Sequence, residues 1–373
     1  MKDEFTPQDE DFNYDDEFEF LDEEDDIPPR KPKKKKKKKK KGKFGSNNTL
    51  NIILLLVIVL VLLVAVVKLL IWNKGIKLPK LDPNEDTSQF DTEALDSIVP
   101  LDATNVDVVR SNDDDELHIL FLGNDAITHA SDDKTGFVNL VQAKTGATVY
   151  NAGISGTYIA SKNPTYDNAY PMDAFHFYNL VTYFTVGNKE TVAWAKRDLK
   201  DGLPKDAEHA IEVLDSIDYS KLDVICIYYD ATDYQNLVKT VVAETNNPVN
   251  TFRGAFEAGI KLLKENLPDT RIIVMSPTFA YFVGEDGKFV AHPEMPDDYT
   301  LDKYLMHELD ICMVNNVSLV DNYYGTVHED IVDKYLEKGS SILLNAAGRE
   351  KAADRFVYDA LNRFHDYDIP DKK

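Results

Sequence analysis

The sequence predicts an α/β fold: a parallel sheet covered by helices on both faces, preceded by one transmembrane helix. Three observations predict it. Short apolar runs, bounded by glycine, proline or acidic residues, alternate with stretches of helical spacing from residue 117 to the C-terminus. The run DVICIYY (223–229) is apolar at almost every position, as a strand covered on both faces is. A separate run, Ile52 to Trp72, is 21 residues long with a single charge, Lys68, and no polar face. At 1.5 Å per residue it spans roughly 30 Å, the thickness of a bilayer core.

Residues 1–49 precede that run and cannot build a core. Residues 1–30 carry 14 acids against two bases, and residues 31–43 are almost all lysine, unbroken from Lys33 to Lys41. This part is expected to be a disordered cytosolic tail. Residues 50–72 are read as an uncleaved anchor, because the apolar run starts past residue 50 and no small-residue cleavage site follows it. Lys68 snorkels outward and Trp72 suits the interface. The lysines before the anchor place the N-terminus in the cytosol and residues 73–373 outside. Lys33–Lys41 are expected to lie on anionic lipid head groups.

The 14 acids and 14 bases of residues 1–72 cancel, so the whole net charge of −23 falls on the outer part. Such a surface repels nucleic acid and anionic wall polymers at long range. It favours neutral or cationic ligands. The two cysteines, Cys226 and Cys312, lie in apolar runs and are expected as buried free thiols.

Residues 73–113 read as a stalk, with room for a short helix near Thr92–Ile98. The domain then runs over 114–373. LHILFL (117–122), ATVYNAG (147–153), DVICIYY, RIIVMSP (271–277) and VSLVDN (317–322) are its strands. Helical spacing marks 136–146, 174–184, 206–217, 249–267 and 345–364, the last with Asn345 as its N-cap. In a parallel sheet ligands bind beyond the carboxyl ends of the strands. The residues to watch are therefore Gly123, Asn124 and Asp125 after the first strand, Gly153 and Ser155 after the second, and Asp230 and Asp233 after the third. Ser276 follows the fourth. Asp125, Asp230 and Asp233 are the only candidates for an oxygen-ligand metal site, against the plainer reading that each bonds its own turn. No histidine pair has metal-ligand spacing, and no cofactor is expected. An insertion rich in tyrosine and phenylalanine, from about Lys162 to Phe184, is either a lid packed over the sheet or a platform for sugar rings.

TGATVYNAGISGTYIAS (145–161) and LLNAAGREKAADRF (343–356), in this order and at these strand positions, resemble the SGNH (GDSL-type) hydrolase superfamily over about residues 115–364. The resemblance implies a flavodoxin-like three-layer α/β/α sandwich and four blocks that carry the chemistry. The first is a nucleophilic serine in Gly-Asp-Ser. The second is a glycine whose amide helps form the oxyanion hole. The third is an asparagine in Gly-x-Asn-Asp, and the last is Asp-x-x-His, which carries the base. Carried onto this chain, Asp125 or Ala126 stands for the serine, according to register. Gly153 keeps the glycine. Thr232 replaces the asparagine and Asp233 keeps the neighbouring aspartate. Ser340 and Leu343 replace the aspartate and histidine of the last block. Acyl transfer needs a nucleophile, a base to take its proton and donors for the oxyanion. A leucine accepts no proton.

The expectation is thus a catalytically silent outer domain on a single-pass anchor. It binds or scaffolds at the cell envelope, on a glycan, in a Gram-positive bacterium. The alternatives are an esterase or acyltransferase with non-standard residues, and a metal-dependent site on the three aspartates.

Overall fold

In a computed structural model, residues 94–101, 116–241, 248–296, 299–370 and 372 are described. The chain divides into two units, residues 1–85 and 86–373, and every described residue belongs to the second. The expected tail, the lysine run and the apolar run Ile52–Trp72 lie outside the described residues. Among the described residues no helix is long and apolar enough to cross a membrane.

Five parallel strands form the central sheet. They are β1 (His118–Gly123), β2 (Thr148–Asn151), β3 (Val224–Tyr228), β4 (Arg271–Met275) and, after a two-stranded hairpin of β5 (Phe282–Val283) and β6 (Phe289–Val290), β7 (Ser318–Val320). The spatial order is β2-β1-β3-β4-β7, so the order reverses between β1 and β3. In open α/β sheets that reversal leaves a crevice beyond the carboxyl ends of the two strands.

The period of two in each strand divides the core into two layers. Leu120, Leu122, Ile225, Ile227, Ile272, Val274 and Leu319 point to one side. There they pack against helices Phe177–Thr185, Lys205–Ser216, Phe252–Asn266 and Leu301–Asn315. Ile119, Phe121, Val224, Cys226, Ile273 and Met275 point to the other, against helix Phe137–Thr145 and the C-terminal helix. That last helix starts at Ala346, with the Asn345 side chain accepting from the Gly348 amide, and ends in a wider π-type turn, Arg355–Leu361. Cys226 and Cys312 belong to opposite layers, and both are free and buried.

Of the stretch read as a stalk, residues 73–93 and 102–113 lie outside the described residues. Residues 94–100 are extended, with no helix over 94–98, and they dock on the edge of the sheet. Ser97 bridges antiparallel to Leu319. The Leu95 amide donates to Asp321 at 2.8 Å, and the Val99 amide to Ser318 Oγ at 3.1 Å. Arg355 holds Asp96 at 2.7 Å. The cause is the exposed edge of β7, whose backbone groups need partners. The domain therefore takes in residues N-terminal to 114.

Candidate functional site

The turn after β1 is closed by side chains rather than left open. Gly123 ends the strand against β3, and a Cβ there would lie 2.0 Å from the Tyr228 carbonyl oxygen. Asn124 is fully buried. Its amide donates to Asp230 Oδ1 at 2.8 Å and to the Thr157 carbonyl at 3.2 Å. Its oxygen accepts from the amides of Asp230 at 2.9 Å and Ala126 at 3.2 Å. Asn124 thus clamps the ends of β1 and β3 together and caps the one-turn helix Asp125–Thr128. It is a buried tie between the two strand ends.

The residues standing in the four family blocks are engaged in the same way. Asp125 Oδ2 accepts from the Gly156 amide at 2.6 Å. The Gly153 amide is already given to Asn151 Oδ1 at 3.0 Å. Thr232 donates its amide and hydroxyl back to Asp230. Ser340 Oγ accepts from the amides of Ile342 and Leu343 at 3.2 and 2.8 Å, capping a turn that Gly339 makes at φ 84°. Leu336 bridges to Leu344, which fixes that loop as a small hairpin. Arg349, nearly buried, locks it from behind. Its guanidinium donates to the Leu344 carbonyl, to the Thr135 carbonyl at 2.7 Å and to Thr135 Oγ1 at 3.1 Å.

Between these parts lies a cavity of about 10 Å³, lined by Asp125, Ala126, His129, Asp230, Leu343 and Arg349 among others. It has room for about one water molecule and none for an acyl group. Ala126 and Leu343 both border this one small space, and neither side chain can give or take a proton. His129 lies 3.4 Å from Glu337. His328 pairs with its neighbour Asp330. Ser155 Oγ meets Thr128 Oγ1 at 2.8 Å, and the buried Ser276 Oγ accepts from the Asn322 amide at 2.9 Å. Neither serine is bonded to a histidine.

The three aspartates do not converge. Asp233 spends its two oxygens on the amides of Ile159 and Ala160, at 2.9 and 3.2 Å, tying the turn after β3 to the loop after β2. Asp125 is committed to Gly156, and Asp230 Oδ1 to Asn124 and Thr232. Among the described residues no group of three metal-binding side chains forms. Asp230 bonds its own turn through Thr232, whereas Asp125 and Asp233 bond amides of the loop after β2. Burial pushes Asp230 up to about 6, helped by the charge of Asp125 and opposed by its hydrogen bonds. Burial likewise pushes Asp233 up to about 7.

A larger pocket lies alongside. About 680 Å³ in volume, it is formed by the loop after β2, the 3₁₀ turn Pro171–Phe175 and the segment after helix Thr232–Gln235. Tyr158, Tyr170, Met172 and Leu237 supply its apolar surface, with Tyr170 46% and Leu237 48% exposed. Lys162, Asn236, Lys239 and Asn250 supply polar groups. Below them His176 and Asp173 form a buried pair. His176 Nδ1 accepts from the Tyr158 amide at 3.3 Å, and Nε2 faces Asp173 Oδ1 at 3.2 Å. With both ring nitrogens engaged, His176 positions the loop and is no free base.

Similar solved structures include GDSL-type lipases and acylhydrolases. A lipase/acylhydrolase from Enterococcus faecalis is 14% identical, at a TM-score of 0.39 over 69% of this chain and 99% of that one. A GDSL-like lipase from Parabacteroides merdae ATCC 43184 is 16% identical, at 0.38 over 66% and 97%. A protein from Lactobacillus plantarum is 16% identical, at 0.45 over 67% and 98%. No family model matches the chain, and no curated protein does.

Reading the strand ends alone found Gly153, Ser155, Asp230 and Asp233, but not the larger pocket. Tyr158, Lys162, Tyr170, Leu237, Lys239 and Asn250 line it. Its signal in the sequence was the aromatic-rich insertion, whose start, Lys162, and first loop now form one wall.

Proposed function

We propose that this chain is a membrane-anchored, catalytically silent SGNH-like domain that binds a glycan of the cell envelope in the pocket beside its closed hydrolase site. One observation carries the reading. The positions that would do acyl transfer are packed and hydrogen-bonded around about 10 Å³, while about 680 Å³ stands open next to them, walled by tyrosines. Aromatic faces stack on sugar rings and side-chain amides bond their hydroxyls, so the lining suits a saccharide. The anchor Ile52–Trp72 and the lysines before it support a single-pass arrangement with the domain outside, where such polymers are found. The lysine run itself is assigned to anionic lipid.

The test is titration of oligosaccharides against the full-length protein in detergent, beside a Tyr170→Ala variant. Saturable binding that weakens about tenfold on removing the ring is expected. No binding by any saccharide would end this reading.

A second reading rests on Asp230, whose buried Oδ2 has no hydrogen-bond partner among the described residues and which lines the small cavity with His129. A carboxyl poised near 6 is in the range of a working general base. That reading requires p-nitrophenyl acetate hydrolysis above buffer background that Asp230→Asn removes.

A further inference from the structure

The pocket reverses the sign of the domain around it. The outer part of the chain is strongly acidic, yet the charged side chains lining the pocket are Lys162, Lys239 and Asp173, with His176 beneath. Asp173 is 3% exposed and its oxygens are consumed. Oδ1 accepts from the Lys162 amide at 3.0 Å and faces His176 Nε2, and Oδ2 accepts from the Asn163 amide at 3.0 Å. Its charge is therefore held inward by fixed dipoles. The two lysines are exposed, and among the described residues neither forms an ion pair.

The placement of these groups adds to the charge. Lys162 Nζ lies over the Tyr170 ring, 5.6 Å from its centre, so the ammonium and the ring are held together as a cation–π pair at the pocket wall. The Asn250 side-chain oxygen is buried at the pocket wall and has no hydrogen-bond partner among the described residues. A buried acceptor left unbonded is destabilising, and a ligand hydroxyl would relieve it. The set combines two cations, a stacking face and an acceptor for a hydroxyl.

From this juxtaposition we infer that the pocket selects an anionic saccharide, one carrying a carboxylate or a phosphate within reach of Lys162 and Lys239. The inference rests on the glycan-binding reading above and narrows its ligand. It also overturns, for this one place, the expectation that a net charge of −23 favours neutral or cationic ligands. Exposed charges act through water over about 8 Å at physiological salt, whereas the lysines touch the ligand. The acidic surface slows the approach of an anion, and the pocket holds it once it arrives.

The test uses full-length protein in a zwitterionic detergent and three saccharides of equal length: one neutral, one built from uronic acids and one bearing phosphate. Binding is followed by calorimetry for the native chain and for Lys162→Gln/Lys239→Gln. At least one anionic probe is expected to bind about tenfold or more tightly than the neutral one. The double variant should bring the anionic probe down to about the level at which the wild type binds the neutral one. Both lysines are exposed, so folding is preserved, and circular dichroism checks this. The uronic and phosphate arms tell the two sources of charge apart. Equal binding of neutral and anionic probes overturns the inference and leaves the glycan reading standing. Binding of none overturns both. Anionic binding that the double variant does not move belongs to Lys33–Lys41 and also overturns the inference.

Discussion

Asp125 Oδ2 accepts a hydrogen bond from the Gly156 amide at 2.6 Å, and this bond stands between the two cavities. Asp125 lines the small one and Gly156 the large one. A residue standing in the place of a nucleophile is used here to hold the loop of a neighbouring pocket. Thr128 and Ser155 join the same two loops through their hydroxyls at 2.8 Å, and the Ser155 amide is held by Asp206 at 2.6 Å.

Asp125→Ala should therefore act on the large pocket. Stability should fall by about 1 kcal/mol, since the bond is charge-assisted but solvent-exposed. Saccharide affinity should fall too, because the Gly156 loop is released. Hydrogen exchange at the Gly156 amide is the direct check. Unchanged protection there would mean that the remaining ties, Thr128 and Asp206, hold the loop without Asp125.

Restoring a serine should not restore hydrolysis. Ala126→Ser places a hydroxyl in a space of about 10 Å³, with Leu343 where a base is needed. The Gly153 amide remains bonded to Asn151, and Thr232 offers no amide group for an oxyanion. Even Ala126→Ser/Leu343→His lacks the donors, which typically account for a factor of about 10²–10³ each. The wild type and both variants should hydrolyse p-nitrophenyl acetate at buffer background. A rate above background in the double variant would show that the cavity opens to substrate.

The sheet was legible because its strands are apolar on both faces and end at glycine, proline or aspartate; all five were placed from pattern alone. Helix Leu301–Asn315 was not seen. Met306, Met313 and Val314 are exposed on it, at 45, 63 and 74%, and blur the apolar stripe that marks a surface helix. The docking of residues 94–101 was unreadable because its partners, Ser318, Leu319, Asp321 and Arg355, lie more than two hundred residues away. The edge of the small cavity was legible, since Asp125 and Asp230 follow strands and border it. What fills it was not, since Arg349 reads as an ordinary helix arginine until the Leu344 and Thr135 carbonyls are seen around it. The large pocket needs loops after β2 and β3 brought together by Asp233, a contact that no spacing rule encodes.

Arg349 should be among the most sensitive polar positions of the domain. It is 4% exposed, and Thr135, Leu344 and Glu337 all meet its guanidinium. A hydrogen bond from His129 holds the Glu337 carboxyl below its usual range, opposed by burial and helped by the hydrogen bond and charge of Arg349. Arg349→Met keeps the packing of the stem but leaves two buried carbonyls unbonded. A loss of about 3 kcal/mol is expected. Arg349→Lys should recover little, because one ammonium cannot reproduce the fork. The urea midpoints of the two variants check this, and a lysine variant as stable as the wild type would show that charge alone suffices.

The pH dependence of stability should carry the mark of Asp230. Burial raises its carboxyl from the ordinary 3.8 to about 6 in the folded chain. Below pH 4 the group is protonated in both states and nothing is lost. Between about 4 and 6 the folded chain keeps a proton that the unfolded chain releases, so stability falls as pH rises through this window and levels off above it. The drop attributable to the group is on the order of 2 kcal/mol. Asp230→Asn isolates it. Oδ1 takes every hydrogen bond given to this side chain, from Asn124 and Thr232, and an amide oxygen accepts them equally well. The charge of Asp230 also helps to push Asp233 up, so its removal lets Asp233 ionise at lower pH and flattens the curve further. Whatever the variant's stability at pH 4, its difference from the wild type should move in the variant's favour by about 2 kcal/mol by pH 7. Urea unfolding at pH 4, 5, 6 and 7 measures that difference. Parallel curves would mean that Asp230 is ionised at ordinary pH in the folded chain, with water reaching the oxygen that has no protein partner.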